Sequence, residues 1–294
     1  MVIVNDYVKV TLPAALPFAT FGTERLGIAL SLFSTFELRA VAGQSQIEVT
    51  EFDGDKLSKS GAQLLELAAN RVLDYLGAPR VGLQVCGQSQ WVLPYGITYD
   101  SLLAVAGTLL AAGLAPAQTL TDEELIELAV QSGAAPELAV TLLRGSAALA
   151  WTKDAGRGVR YVALPAEPEG HRATLLVSKN FYAFGSETQQ FHAVNLGLLT
   201  GYLAGLAPVW AAELLTEATR MEVSAQPALA PVAQLVQHLR QLGLAALATS
   251  GGEAVLVFGK LDEQLVAQAQ QAAWRVVPVT RISEGAQSAS SRLD

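Results

Sequence analysis

The order of elements read from the sequence predicts an α+β protein of two domains. Three observations carry this. Stretches with a strand period and stretches with a helical period come in runs rather than in strict alternation. The length of 294 residues suits two domains of ordinary size. Near the middle, Pro165-Ala-Glu-Pro-Glu-Gly170 has the composition of a linker, which divides the chain into residues 1–165 and 166–294.

The first part opens with strands. Val2 to Leu12 contains the alternation Tyr7-Val8-Lys9-Val10-Thr11, and Gly27 to Ala40 and Gln46 to Glu51 continue in the same manner. The period then lengthens. Leu64, Leu65, Leu67, Ala68, Val72 and Leu76 share a helical face that Gly77 and Pro79 terminate. Val81 to Val92 returns to a strand, and a helix of small residues follows from Asp100 to Ala112. Thr121 and Glu124 form a capping box that starts a helix to Gln131, and Pro136 suits the first position of the next. Ala147 to Thr152 and Val159 to Leu164 read as a hairpin. In the second part a strand at Arg172 to Ser178 precedes helices at Glu187 to Leu206, Val209 to Ala218 and Val232 to Leu242. Two short strands around Thr249-Ser-Gly-Gly252, a helix at Asp262 to Trp274 and a strand at Arg275 to Ile282 complete it. The small, polar residues from Glu284 to Asp294 are expected to fray.

Composition narrows the function classes. Hydrophobic residues make up 51% of the chain and charged ones 16%, which supports a large core and argues against disorder. A net charge of −8 disfavours a phosphate backbone as partner, so no nucleic-acid binding is expected. The single cysteine, Cys86, excludes an intrachain disulfide, and the dispersed His171, His192 and His238 give no metal-ligand spacing. Thr188 to Ala212 is uncharged and long enough for a bilayer of about 30 Å. Gln189, Gln190, His192, Asn195 and Pro208 interrupt it and no basic cluster flanks it, so the expectation is a buried helix and no membrane. Its glycines Gly197, Gly201 and Gly205 repeat every four residues and let a helix lie close to a neighbour. Asp6 and Lys9 interrupt the apolar N-terminal stretch, which points to a cytoplasmic location rather than a secretory signal.

Three glycine-bearing turns invite a chemical reading. Pro94-Tyr-Gly-Ile-Thr-Tyr-Asp-Ser101 lies between a strand and a helix, where open amides and the helix dipole favour an anion. Asp100 and Ser101 equally suit an ordinary N-cap, and Asp100 places a carboxylate where a phosphate would sit. Thr249 to Gly252 and Asp154 to Gly158 read as hairpin turns. The acidic pairs Glu123-Glu124 and Asp262-Glu263 sit at helix starts, where the dipole accounts for them.

A resemblance carries the reading further. Leu12-Pro-Ala-Ala15, followed by Phe21-Gly-Thr-Glu-Arg-Leu-Gly-Ile-Ala-Leu30, resembles the opening motif of homoserine kinases. These are members of the GHMP superfamily of small-molecule kinases. Pro94 to Ala104 is similar to the family's phosphate loop, Ser132 to Gly145 to its third element, and Thr249 to Leu256 to its late glycine motif. Glu284-Gly285-Ala286 resembles the terminal E-G-A. The resemblance implies an N-terminal mixed α/β domain, a ferredoxin-like C-terminal domain, and a cleft between them containing Phe18, Glu24, the Pro94–Ser101 turn, Glu137 and the Thr249–Gly252 turn.

The resemblance also implies roles. Pro94, Gly96, Thr98, Ser101 and Gly252 would hold ATP, and Glu24, Asn195 and Thr249 the substrate. Glu137 would hold Mg2+ and, with Ser101, act in catalysis. The departures bear on activity. Phe18 replaces an asparagine and Glu24 an aspartate; Thr98 and Asp100 replace cradle glycines, and Leu102 a serine. Ser132 stands for the metal-side acid, Glu137 for an asparagine, Asn195 for an arginine and Glu253 for a proline. Phosphoryl transfer depends on a close-fitting cradle and on charge neutralisation. Asp100 would add about 1–4 kcal/mol of repulsion if placed near 4 Å from a phosphate in wet surroundings. The expectation is therefore a homodimeric ligand-binding or assembly module with degraded phosphotransferase activity. The alternative is an active ATP-dependent kinase acting on the hydroxyl of homoserine or a similar metabolite.

Overall fold

The computed structural model describes residues 3–21, 24–50, 54–90, 97–116, 119–153, 158–164, 172–178, 230–249, 254–282 and 284–291. Pro94, Gly96, Asn195 and Gly252 lie outside the described residues, as do the helices expected at residues 187–206 and 209–218.

Two long antiparallel strands form the centre of the first sheet: β1 (Tyr7–Phe21) and β2 (Glu24–Val41). Both exceed the expected lengths. β1 continues through Pro13 and Pro17, where a central strand would lose ladder bonds. It does so because beyond Thr11 it is paired on one side only, and register shifts follow Pro13 and Phe18. β3 (Gln46–Thr50) runs parallel to β4 (Gly82–Ser89), so the seven-stranded sheet is mixed. β5 (Ala147–Thr152) pairs with β2 and with β6 (Val159–Leu164), matching the expected hairpin.

Among the described residues, four helices accompany this sheet. These are α1 (Lys59–Tyr75), α2 (Ile97–Gly113), α3 (Asp122–Gln131) and α4 (Pro136–Arg144). The expected capping box begins α3: the Thr121 side chain accepts from the Glu124 N–H, and the Glu124 carboxylate accepts from the Thr121 N–H at 2.8 Å. Leu103, Leu110, Leu138 and Val140 are buried with Val8, Leu12, Ile28 and Phe36 of the sheet.

The second sheet comprises β7 (Arg172–Ser178), β8 (Ala245–Ala248), β9 (Ala254–Phe258) and β10 (Trp274–Thr280) in the antiparallel order β10-β7-β9-β8. Counted from β7 this is 4-1-3-2, the ferredoxin-like order. α5 (Ala230–Gln241) precedes β8, and α6 (Glu263–Gln271) connects β9 to β10. One face of the sheet, with Leu175, Leu247 and Leu256, joins the main core. The other, with Leu176, Val255 and Val257, packs on Val236, Leu239 and Ala269 of the two helices.

The C-terminal expectation is corrected. Gln287–Ser291 forms β11, which pairs with Tyr7–Thr11 of β1 and so returns the chain to the first sheet. Its side chains are all exposed, so no burial pattern announces it, while the free edge of β1 supplies the backbone partners. No helix among the described residues is long and apolar enough to cross a membrane.

Candidate functional site

The site is built around α4, which three distant segments hold in place. At its N-terminal end Ala135 is the N-cap and offers no side-chain cap. Its own N–H instead donates to Ser101 Oγ of α2 at 3.0 Å. In the middle, α4 lies against β2 at Gly27: a Cβ there would meet Thr141 Oγ1 and come within 2.8 Å of the Glu137 carbonyl oxygen. At the C-terminal end the Ala286 N–H donates to the carbonyls of Leu142 and Leu143 at 3.0 and 3.1 Å. The glycine of the expected E-G-A stretch belongs to this contact, since a Cβ on Gly285 would collide with the Leu143 carbonyl.

Three polar side-chain atoms in this region are buried without a hydrogen-bond partner among the described residues: Thr98 Oγ1, Glu137 Oε2 and Thr141 Oγ1. Thr98 and Ser101 are three apart on α2, and Glu137 and Thr141 four apart on α4, so each pair shares a helix face. Glu137 is 3% exposed. Burial pushes its carboxyl up to about 7, opposed by the Arg25 guanidinium and by its own backbone N–H. Leaving such groups unpaired costs of order 1–3 kcal/mol each, more for a charge, so two of them one turn apart on α4, Glu137 Oε2 and Thr141 Oγ1, mark a candidate site.

Arg25 and Gly27 are two residues apart on β2 and share the strand face that α4 covers. Strand alternation puts Glu24 on the opposite face. Ser101 thus meets the N-cap of α4, two residues before Glu137, and Thr98 lies three residues before Ser101 on α2. Phe18 is fully packed in the main core. Thr249 is buried, and its hydroxyl accepts from the Ala254 N–H at 3.1 Å while its N–H donates to the Ala254 carbonyl at 2.9 Å, stapling the turn before β9.

Arg25 and Thr141 were absent from the sequence-derived set. Thr141 had a detectable signal: with Glu137 it places two polar groups four apart in an otherwise apolar helix, Pro136–Arg144. Arg25 had only its position beside Glu24.

The fit to the groups that the resemblance implies is uneven. The unpartnered Oε2 of Glu137 suits one ligand position of a divalent cation, although no group of three or more His, Cys, Asp or Glu residues surrounds a point among the described residues. A triphosphate fits poorly at the start of α2. Desolvation raises the Asp100 carboxyl, Ser101 Oγ already receives the Ala135 N–H, and the side chains of Thr98, Leu102 and Leu103 are buried where a cradle would need bare backbone.

No protein-family model matches the chain. Homoserine kinases of Corynebacterium aurimucosum and Corynebacterium efficiens are 27% and 28% identical to it. The first alignment covers 93% of this chain and 94% of the relative, the second 93% of each. Among solved structures, homoserine kinase from Cytophaga hutchinsonii superposes with a TM-score of 0.67 at 16% identity, over 97% of this chain and 98% of that one. Mevalonate diphosphate decarboxylase from Staphylococcus aureus gives 0.65 at 13% identity over the same shares, which establishes a common fold.

Proposed function

Since the chain belongs to the GHMP kinase superfamily and its relatives include homoserine kinases, we propose that it binds a small polar metabolite between α2 and α4, with ATP-dependent phosphotransfer reduced or lost. One observation carries this reading: α4 keeps buried polar atoms without partners among the described residues, while the start of α2 presents a carboxylate and buried bulky side chains to a triphosphate. Glu137, Thr98 and Thr141 keep buried oxygens available to a ligand. Asp100, by contrast, presents a half-buried carboxylate with no cation among the described residues offsetting it. A phosphate approaching it would meet like charge in partly desolvated surroundings.

The specific observation favouring an active kinase is Glu137 itself. A carboxylate with an unpartnered Oε2 could hold Mg2+, and the metal would offset charge on a transferred phosphoryl group. On that reading Ser101 and the amides near Gly96 face phosphate and Glu24 receives the substrate amine.

Calorimetric titration of Mg-ATP, with and without homoserine, separates the two. The expected result is no heat at millimolar nucleotide and no phosphorylated product. Turnover would overturn the binding-module reading, and Asp100→Gly should then tighten ATP. The same reading expects a cytoplasmic homodimer, whose mass light scattering measures.

A further inference from the structure

A cavity of about 540 Å³ lies apart from α2 and α4, between the β2–β3 turn, α1 and the segment that enters β4. Its size is that of a small-molecule site. Two glycines build its rim. Gly43 turns the chain out of β2 with a φ of +116°, which L side chains rarely adopt. A Cβ on Gly82 would come within 2.6 Å of the Gly43 carbonyl oxygen, so the turn lies directly on the start of β4. The Leu83 N–H donates to Ser45 Oγ at 3.2 Å and fastens the turn there.

The opposite wall is a row of acceptors on α1. Glu66 and Asn70 line the cavity, and Asp74 follows on the same helix face, each one turn or about 6 Å of helix axis from the last. Asp74 is answered: Nε and Nη2 of Arg80, which also lines the cavity, donate to its two oxygens at 3.0 and 2.6 Å. Glu66 is not answered, since among the described residues its carboxylate has neither a hydrogen bond nor an ion pair. The cavity therefore carries one uncompensated negative charge. A metal ion does not suit it, because no group of three or more His, Cys, Asp or Glu surrounds a point among the described residues. An anion would face Glu66 directly. An organic cation fits, with an ammonium for Glu66 and an aliphatic stem for Val41 and Val81 in the cavity wall. The net charge of −8 draws such cations to the surface.

We propose that this cavity binds a linear aliphatic polyamine, whose terminal ammonium pairs with Glu66 as Arg80 pairs with Asp74. The acceptors recur along α1 at Asn70 and Asp74, so a chain carrying several amines meets one at each turn. Arg80 occupies only two of the roughly four lone-pair sites of the Asp74 carboxylate, which leaves that end of the row able to accept a further N–H. The site shares no residue with the metabolite binding proposed between α2 and α4 and stands or falls without it.

Calorimetric titration with putrescine and spermidine tests the assignment. The controls are 1,4-butanediol, which has the stem without the charge, and magnesium chloride at matched ionic strength, which has the charge without the stem. Both amines should bind saturably, spermidine more tightly, and neither control should. Glu66→Gln should weaken spermidine about tenfold, the loss of one charge-assisted bond. Glu48→Gln makes the same charge change at an exposed position of β3 and should leave binding as it was. Arg80→Met releases Asp74 and should tighten spermidine about threefold, an effect that a purely structural Arg80 would not produce. Far-UV circular dichroism confirms the fold of each variant. An equal response to magnesium chloride would overturn the proposal in favour of general surface charge, and equal binding of butanediol in favour of a neutral polyol. Undiminished spermidine binding by a folded Glu66→Gln variant would remove Glu66 from the site. Silence from both amines at about 10 mM, weaker than any specific pairing of this kind, would end the assignment.

Discussion

Two helix starts in this protein carry acidic residues and behave in opposite ways. At α3, Asp122, Glu123 and Glu124 fill the first turn. Glu124 accepts from the Thr121 N–H and hydroxyl and from Tyr75 Oη, and Glu123 accepts from Tyr161 Oη and Arg144. Both carboxyls lie below the usual carboxylate range, Glu123 held there first by its own backbone N–H and then by Tyr161, and Glu124 first by the Thr121 N–H and then by Tyr75. At α4, Glu137 is also in the first turn, but it is buried, one of its oxygens has no partner, and its carboxyl rises to about 7. The dipole favours a negative charge at both ends. Desolvation decides the difference: it is a minor influence on the solvated carboxyls of α3 and the dominant one at α4. An acidic first turn is thus self-explanatory at α3 and requires a ligand, a proton or both at α4.

The largest expected effect strikes the contact that buries Glu137. Gly27→Ala places a methyl against Thr141 Oγ1 and 2.8 Å from the Glu137 carbonyl, and neither strand nor helix backbone yields cheaply. Overpacking of this kind costs about 1–3 kcal/mol, and the backbone clash should put this case at roughly 3 or above. Urea denaturation measures it. Adding Thr141→Ala should recover only the share owed to the hydroxyl, since the carbonyl remains. A neutral Gly27→Ala would show that α4 does not rest on β2 there.

Next comes the pH dependence of Glu137. Its folded pKa of about 7 lies above the ordinary 4.5, so the folded state binds the proton more tightly. The stability this gives is full below pH 4.5 and is lost as pH rises through about 7. The shift corresponds to roughly 3 kcal/mol across that window. Urea unfolding between pH 5 and 8 should show the decline in wild type, and Glu137→Gln should remove it. The carboxyls of Glu123 and Glu124 work with the opposite sign: their pKa values are lowered, so their contribution is present at neutral pH and disappears as pH falls into the acid range. A wild-type profile flat from pH 5 to 8 would contradict the burial of an unpaired Glu137.

How much of this the sequence disclosed follows from where the causes lie. The capping box of α3 was legible because its partners, Thr121 and Glu124, are three residues apart. The β5–β6 hairpin was legible for the same local reason. The order of the second sheet followed from the family resemblance rather than from periodicity. The environment of Glu137 was not legible, because it depends on Gly27, Ser101 and Ala286, which are far from it in sequence. The residue itself was singled out through the resemblance. Arg25 was missed because a charged residue near a strand start ordinarily reads as solvent-facing, and only the seat of α4 beside Gly27 shows which face it shares. β11 was missed because its pairing is entirely backbone and its side chains are exposed.

A smaller effect tests the local cap. Thr121→Ala removes the acceptor for the Glu124 N–H, at 3.2 Å, and one of the donors to the Glu124 carboxylate. The expected loss is about 1 kcal/mol. It should be the same at pH 5.5 and pH 8, because the Glu124 carboxyl, held below the usual carboxylate range, stays ionised throughout, whereas Glu137 titrates inside that interval.

The smallest effect joins the two regions. Arg144 closes α4 but reaches the start of α3, bonding Asp122 at 3.1 Å and Glu123 at 3.2 Å while lying over the Tyr161 ring. All of these groups are substantially solvated, so Arg144→Met should cost only about 0.5 kcal/mol. That loss should fade between 0.05 and 1 M salt, because screening already weakens the exposed pairs it removes. If α4 communicates with α3 only through this surface contact, Arg144→Met leaves the midpoint of the Glu137 transition where it was. A shift in that midpoint would mean that the ion pairs at one end of α4 set the depth at which its other end is buried, and the two helix starts would then be one electrostatic unit.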